Sequence, residues 1–115
     1  MYEYKAVVKR VYDGDTIVVN IDLGLGVWMH HQKLRLYGID APEIRGKERP
    51  EGLESRDYLS DRILYREILI HTIQDKKGKY GRWLAKIYLV DEETGERTCM
   101  NDKLVEEGHA EYREY

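Results

Sequence analysis

The stretch EYKAVVKRVYDGDTIVVNIDLG, Glu3 to Gly24, decides the fold. After Asp13-Gly14-Asp15, Ile17, Val19 and Ile21 alternate with Val18 and Asn20, the period of a strand with one buried face. Before it, AVVKRV is β-branched as well, so the segment reads as two strands hinged at DGD. The glycines of GLGVWMHH, Gly24 to His31, with an exposed-looking Trp28, predict a second turn. QKLRLYGID, Gln32 to Asp40, then supplies a third strand, with Leu34 and Leu36 alternating with Arg35 and Tyr37.

Downstream the period changes. Both prolines, Pro42 and Pro50, and a run of charges mark Pro42 to Glu51 as a loop. GLESRDYLSDRILY spaces Tyr58, Leu59, Arg62 and Ile63 at helical intervals, with acids early, where the helix dipole favours them. REILIHTIQ returns to strand character, DKKGKYG is a turn-rich basic loop, and RWLAKIYLV is a fifth strand with Trp83, Ala85, Ile87 and Leu89 on one face. DEETGE makes a turn. NDKLVEEGHA reads as a short helix, with Asn101 as N-cap and Gly108 as stop.

Five strands with a helix between the third and fourth is the order of an OB-type barrel, a Greek-key fold that often binds oligonucleotides or oligosaccharides. The expected architecture is therefore a β-barrel with helices (α+β), as one domain over residues 1–115. Of these 115 residues, 42% are apolar and 36% charged, which supports one folded core rather than disorder. The single Cys99 excludes an internal disulfide and a cysteine-based structural zinc site. The adjacent His30 and His31 lack the spacing of a helical zinc motif.

No apolar run reaches the length of a membrane span, and MYEYKAVVKR carries charges where a signal peptide needs an apolar block. The expectation is no membrane association and a cytoplasmic location as written, or secretion if a leader has been removed. Oligomeric state is left open, with a monomer as the working assumption. The formal charge of −3 argues against indiscriminate binding of polyanions. Such a ligand needs a local basic patch or a bound cation.

The chemistry rests on a few residues. If the DGDT and DAPE turns meet at one end of the barrel, Asp15, Asp40 and a freed backbone carbonyl make an oxygen-only cluster suited to calcium or magnesium. A divalent cation there would offset the charge of a phosphodiester, and Arg35 and Arg82 would hold its oxygens. Glu43 would take a proton from the attacking water. Each part has a plainer reading: DGDT as a tight turn in which glycine takes positive φ, Arg35 as an outward strand residue, Glu43 as a solvated carboxylate, KKGKYGR as a solvated basic turn. The combination favours phosphodiester hydrolysis.

VYDGDTIVV, LRLYGIDAPE, GLESRDYL, KYGRWLAKIYL and NDKLVEEGHA, in that order and at those separations, resemble the staphylococcal nuclease family from about Tyr4 to Tyr112. The resemblance implies a five-stranded OB barrel with helices and calcium-dependent hydrolysis of DNA, preferably single-stranded, and of RNA, leaving 3′-phosphates and 5′-hydroxyls. Magnesium or manganese are the alternative ions. By the same resemblance, Asp15 and Asp40 match the calcium carboxylates and Ala41 the carbonyl ligand. Arg35, Glu43 and Arg82 match the catalytic positions, and Lys79 and Tyr80 match residues near the nucleotide's other phosphate.

The chain also departs from the family pattern. Position 41 is alanine where the prototype has threonine, the sequence ends shortly after the second helix so that a third is expected to be absent, and the net charge is negative where the prototype is basic. Some domains resembling this family keep the barrel as non-catalytic modules that bind single-stranded nucleic acid or a protein. Those typically lack an acidic or arginine position, and none is lacking here.

Overall fold

The computed structural model describes residues 2–77 and 82–114, with backbone alone for 74–77. Strands β1 (Tyr2–Asp13), β2 (Thr16–Asp22) and β3 (Trp28–Leu36) form the meander that the alternation predicts. Ile17, Val19, Leu34 and Leu36 are fully buried on its inner face. After the two-residue β4 (Ile39–Asp40) and a short 3-10 turn (Gly46–Glu48) comes helix α1 (Arg49–Ile63). Then follow β5 (Glu67–Lys77), β6 (Trp83–Val90), β7 (Arg97–Cys99), helix α2 (Met100–Glu106) and β8 (Glu111–Tyr112).

The main sheet runs β3-β2-β1-β5-β6-β7 and closes on itself where β3 pairs in parallel with β6, Leu34 opposite Trp83 and Leu36 opposite Ala85. One edge of β6 is thus divided: its first residues close the barrel and its last, Tyr88 to Val90, pair with β7. The result is a closed five-stranded barrel with two helices, the OB architecture expected from the strand order. β4 and β8 form a separate two-stranded ribbon beside it. Leu59 and Ile63 of α1 and Met100 and Leu104 of α2 are buried in the same apolar cluster as the inward residues of the strands. Among the described residues no helix is long and apolar enough to cross a membrane.

Three irregularities aim the strands. Lys9 and Tyr12 are extra residues in β1 opposite β2, and β3 carries one extra residue opposite Asn20. Each bulge bends its strand and increases its twist, which helps a short sheet to close. At the third, His31 takes φ +55 and its amide donates to Oδ1 of Asn20 at 3.0 Å.

Several boundaries differ from those expected. The segment Pro42 to Glu51 is not all loop, because α1 begins at Arg49 and takes Pro50 into its first turn, where a missing N–H breaks no helical bond. The helix stops at Ile63 rather than Tyr65, which lies at φ +62. β3 starts at Trp28, β5 continues into the expected basic loop as far as Lys77, and β7 is an additional strand. Asn101 is not an N-cap, since that position belongs to Cys99. Asn101 is buried instead, donating to the carbonyls of Tyr37 (2.9 Å) and Ala85 (3.2 Å) and accepting from the amide of Ile87 (3.0 Å). The sequence pattern could not separate these roles, because a capping asparagine and a bridging one look alike without the neighbouring strands. Gly108 does end the α2 segment, at φ +79.

Candidate active site

The DGD and DAPE turns do meet. Gly14 is the point of contact, but not for the reason a tight turn suggests, since its φ is not positive. A Cβ there would lie 2.8 Å from Cβ of Ala41 and 2.9 Å from Cβ of Ser55, closer than carbon atoms pack. Glycine is required for close approach, and the β1–β2 turn presses directly on the chain leaving β4.

Asp15 is fixed from several sides. Its Oδ2 accepts from the Ala41 amide at 2.8 Å, its Oδ1 accepts from the Thr16 hydroxyl at 3.1 Å, and its own amide donates to Oδ1 of Asp13 at 3.0 Å. Burial, with the Asp15 carboxyl bonded beside it, pushes the Asp13 carboxyl up to about 7. Leu36 donates its amide to the Asp15 carbonyl at 2.8 Å, which locks the turn to β3.

Arg35, on the outward face of β3, is only 7% exposed. Its Nη1 donates to the carbonyls of Leu36 (3.1 Å) and Ile39 (3.0 Å) and lies 3.3 Å from Oδ2 of Asp15. Its Nη2 donates to Oδ1 of Asp40 at 3.2 Å. The guanidinium therefore joins both carboxylates. Asp40 is 57% exposed at its side chain, with Nη1 of Arg113 at 3.9 Å. Asp15, Arg35, Asp40 and Ala41 form one bonded centre in which the arginine's charge is already balanced.

Glu43 and Arg82 each line a depression whose wall includes Tyr12 and Asp13, next to the turn that carries Asp15. The exposed Glu43 is held through its backbone. Gly52 of α1 leaves room for the Glu43 carbonyl that a Cβ would strike, Arg49 donates to the Ile44 carbonyl at 2.8 Å, and Arg45 donates to the Tyr12 hydroxyl at 2.8 Å. Glu43 lines a small cavity of about 170 Å³ whose wall includes Tyr12 and Asp13. Arg82 lines a groove of about 330 Å³ whose wall includes the same two residues. Lys79 and Tyr80 lie outside the described residues. Gly52, Thr16 and Arg113 escaped the sequence reading. Of these only Gly52 left a signal, a glycine inside a helical pattern.

The oxygen donors at the centre are the Asp15 and Asp40 carboxylates, and the Ala41 carbonyl is the further donor that the family resemblance implies. All are hard oxygens of the kind that bind calcium or magnesium with water completing the shell. Among the described residues no group of three or more His, Cys, Asp or Glu could hold a metal ion, so a cation at the centre would rely on that carbonyl and water.

The family model described as staphylococcal nuclease homologue matches residues 33–115. The chain belongs to the staphylococcal nuclease family. The thermonucleases of Staphylococcus hyicus and Staphylococcus intermedius are each 32% identical to it, over 97% and 94% of this chain and 60% and 59% of their own length. An uncharacterized protein of Methanocaldococcus jannaschii is 28% identical over 93% of this chain and 58% of its own. The chain spans about three-fifths of the length of the curated relatives it matches. The family's matched region begins in β3, so the β1–β2 hairpin that carries Asp15 enters through the relatives.

Proposed function

We propose that this chain is a calcium-dependent nuclease that hydrolyses phosphodiester bonds of single-stranded DNA and of RNA. The observation that carries the reading is the bonded centre itself. Asp15 and Asp40, brought together from distant turns, share Arg35, while Ala41 caps Asp15. Two carboxylates meeting over a nearly buried arginine suit a cation and a phosphate together.

In this reading Asp15, Asp40 and the Ala41 carbonyl hold the ion, which supplies charge compensation to the phosphate. Arg35 and Arg82 donate to the non-bridging oxygens, where charge builds in the transition state. Glu43 accepts a proton from the attacking water. The new bond joins water oxygen to phosphorus and the P–O5′ bond breaks. The 5′ oxygen takes a proton from solvent as it leaves as a hydroxyl, Glu43 returns its proton to solvent, and the phosphate stays on the 3′ carbon. Lys79 and Tyr80 contact a second phosphate of the nucleotide.

The test is cleavage of fluorescent single-stranded DNA and RNA with calcium, with magnesium, with manganese and with a chelator. Calcium-dependent cleavage that falls by orders of magnitude in Glu43→Gln is the expected result. Binding without cleavage under every ion would reject the reading and make the chain a non-catalytic module.

A further inference from the structure

Four side chains form a row across the outer wall of the barrel. Arg10 stands opposite Val18, and Val18 opposite Lys33, in successive antiparallel pairings. The parallel pairing of Leu34 with Trp83 sets Lys33, one residue earlier, beside Arg82. With neighbouring strands about 4.8 Å apart, the row spans roughly 14 Å. All four residues line the 330 Å³ groove whose wall includes Tyr12 and Asp13, next to the turn that carries Asp15.

The groove is basic although the chain is acidic overall. Its one lining acid is Asp13, which accepts the Asp15 amide. Among the described residues, neither Arg10 nor Lys33 has a carboxylate within ion-pair distance. The Arg10 guanidinium lies 5.5 Å from the centre of the Tyr12 ring, whose hydroxyl is held by Arg45. A fixed aromatic ring beside a line of cations is the pattern that tracks a backbone and stacks unpaired bases.

We propose that this groove binds the sugar-phosphate chain of a single-stranded nucleic acid beyond the nucleotide at the Asp15–Arg35–Asp40 centre. Arg10 and Lys33 contact its phosphates and Tyr12 offers a face to a base. The proposal rests on the nuclease reading and extends it from one nucleotide to several. A double helix keeps its bases stacked inside and could not use Tyr12 in this way.

The experiment compares a labelled oligonucleotide of about ten residues with a dinucleotide, matching the few-nucleotide scale of single-strand sites. Binding is measured by anisotropy for the oligonucleotide and by competition for the dinucleotide, with calcium present and Glu43→Gln as background. Adding Arg10→Ala/Lys33→Ala should weaken the longer ligand roughly tenfold and lower its log–log salt slope by about 1.4, the share of two single-strand phosphates. Dinucleotide affinity should change by less than about twofold, because the short ligand fills the centre and does not extend along the groove. Lys5→Ala/Lys86→Ala removes the same charge from the β1–β5–β6 side and should move neither ligand.

Equal losses for both ligands, an equal effect of the Lys5/Lys86 control, or no binding of the longer ligand by the parent would overturn the proposal. Failure of the nuclease reading looks different. In that case the chain without substitutions binds the longer ligand, loses it on replacing Arg10 and Lys33, and cleaves nothing with any metal.

Discussion

The backbone amide of Ala41 donates a 2.8 Å hydrogen bond to Oδ2 of Asp15, across 26 positions of sequence. That bond ties the β1–β2 turn to the chain leaving β4, and Arg35 reaches the same oxygen from β3. A turn residue, a strand residue and a loop peptide thus converge on one carboxylate.

Removing that carboxylate should be expensive. Asp15→Ala leaves a nearly buried guanidinium with one partner fewer and is expected to lower stability by about 3 kcal/mol in urea unfolding. Asp15→Asn keeps an oxygen for Ala41 and should lose less. A change in Asp15→Ala below about 0.5 kcal/mol would mean that water compensates Arg35.

Asp40 separates ion binding from folding, because its side chain is half exposed. Calcium should raise the melting temperature of the parent chain, as any ligand of the folded state does. Asp40→Ala should fold but show no calcium-dependent rise. A full rise in that variant would place the ion elsewhere.

Gly52→Ala ought to reverse the usual rule that alanine strengthens a helix. The added methyl would strike the Glu43 carbonyl, so a loss of about 1–3 kcal/mol is expected. The displaced loop should lower kcat more than it raises KM in the cleavage assay. Unchanged kcat together with raised stability would show that the Glu43 loop yields freely.

Asn101, 2% exposed, bonds two carbonyls and an amide at once. Asn101→Ala should cost about 3 kcal/mol, since those groups stay buried without partners. Equilibrium urea unfolding measures it. A loss under about 1 kcal/mol would imply that water replaces the amide.

Glu3 accepts from Arg97 and His71, each at 2.7 Å. The Arg97 bond, followed by that of His71, holds its carboxyl below the ordinary 4.5. Its contribution is therefore fully present above pH 4.5 and is lost as pH falls through the lower folded value. Glu3→Gln should unfold more easily than the parent above that pH, and the two should converge in acid. A difference that persisted at the acid end would assign the effect to packing.

Alternation made the barrel legible. Ile17, Val19, Leu34, Leu36, Ala85 and Ile87 fall inside as their period requires, because a strand with one apolar face has a single way to bury it. The site was legible in its residue types: carboxylates of two Gly/Pro-containing turns and an arginine between leucines. Its connections were not. Arg35 reads as an outward residue, and only the approach of Asp15 and Asp40 makes burial of its charge tolerable.

Asn101 and Gly14 show the same division. Each was assigned a local role, cap or positive-φ turn, because local rules are all that neighbouring residues can express. Their actual partners, Tyr37, Ala85 and Ile87 for one and Ala41 and Ser55 for the other, come from other parts of the chain.

The sequence by itself determined the strand faces, the two helices and the family, since these follow from periodicity, turn chemistry and a specific order of motifs. Tertiary structure alone decided that Arg35 bridges Asp15 and Asp40, that Gly52 seats Glu43, and that Arg10, Lys33 and Arg82 share one wall. Those relations depend on strand register and barrel closure, which join residues that no local pattern connects.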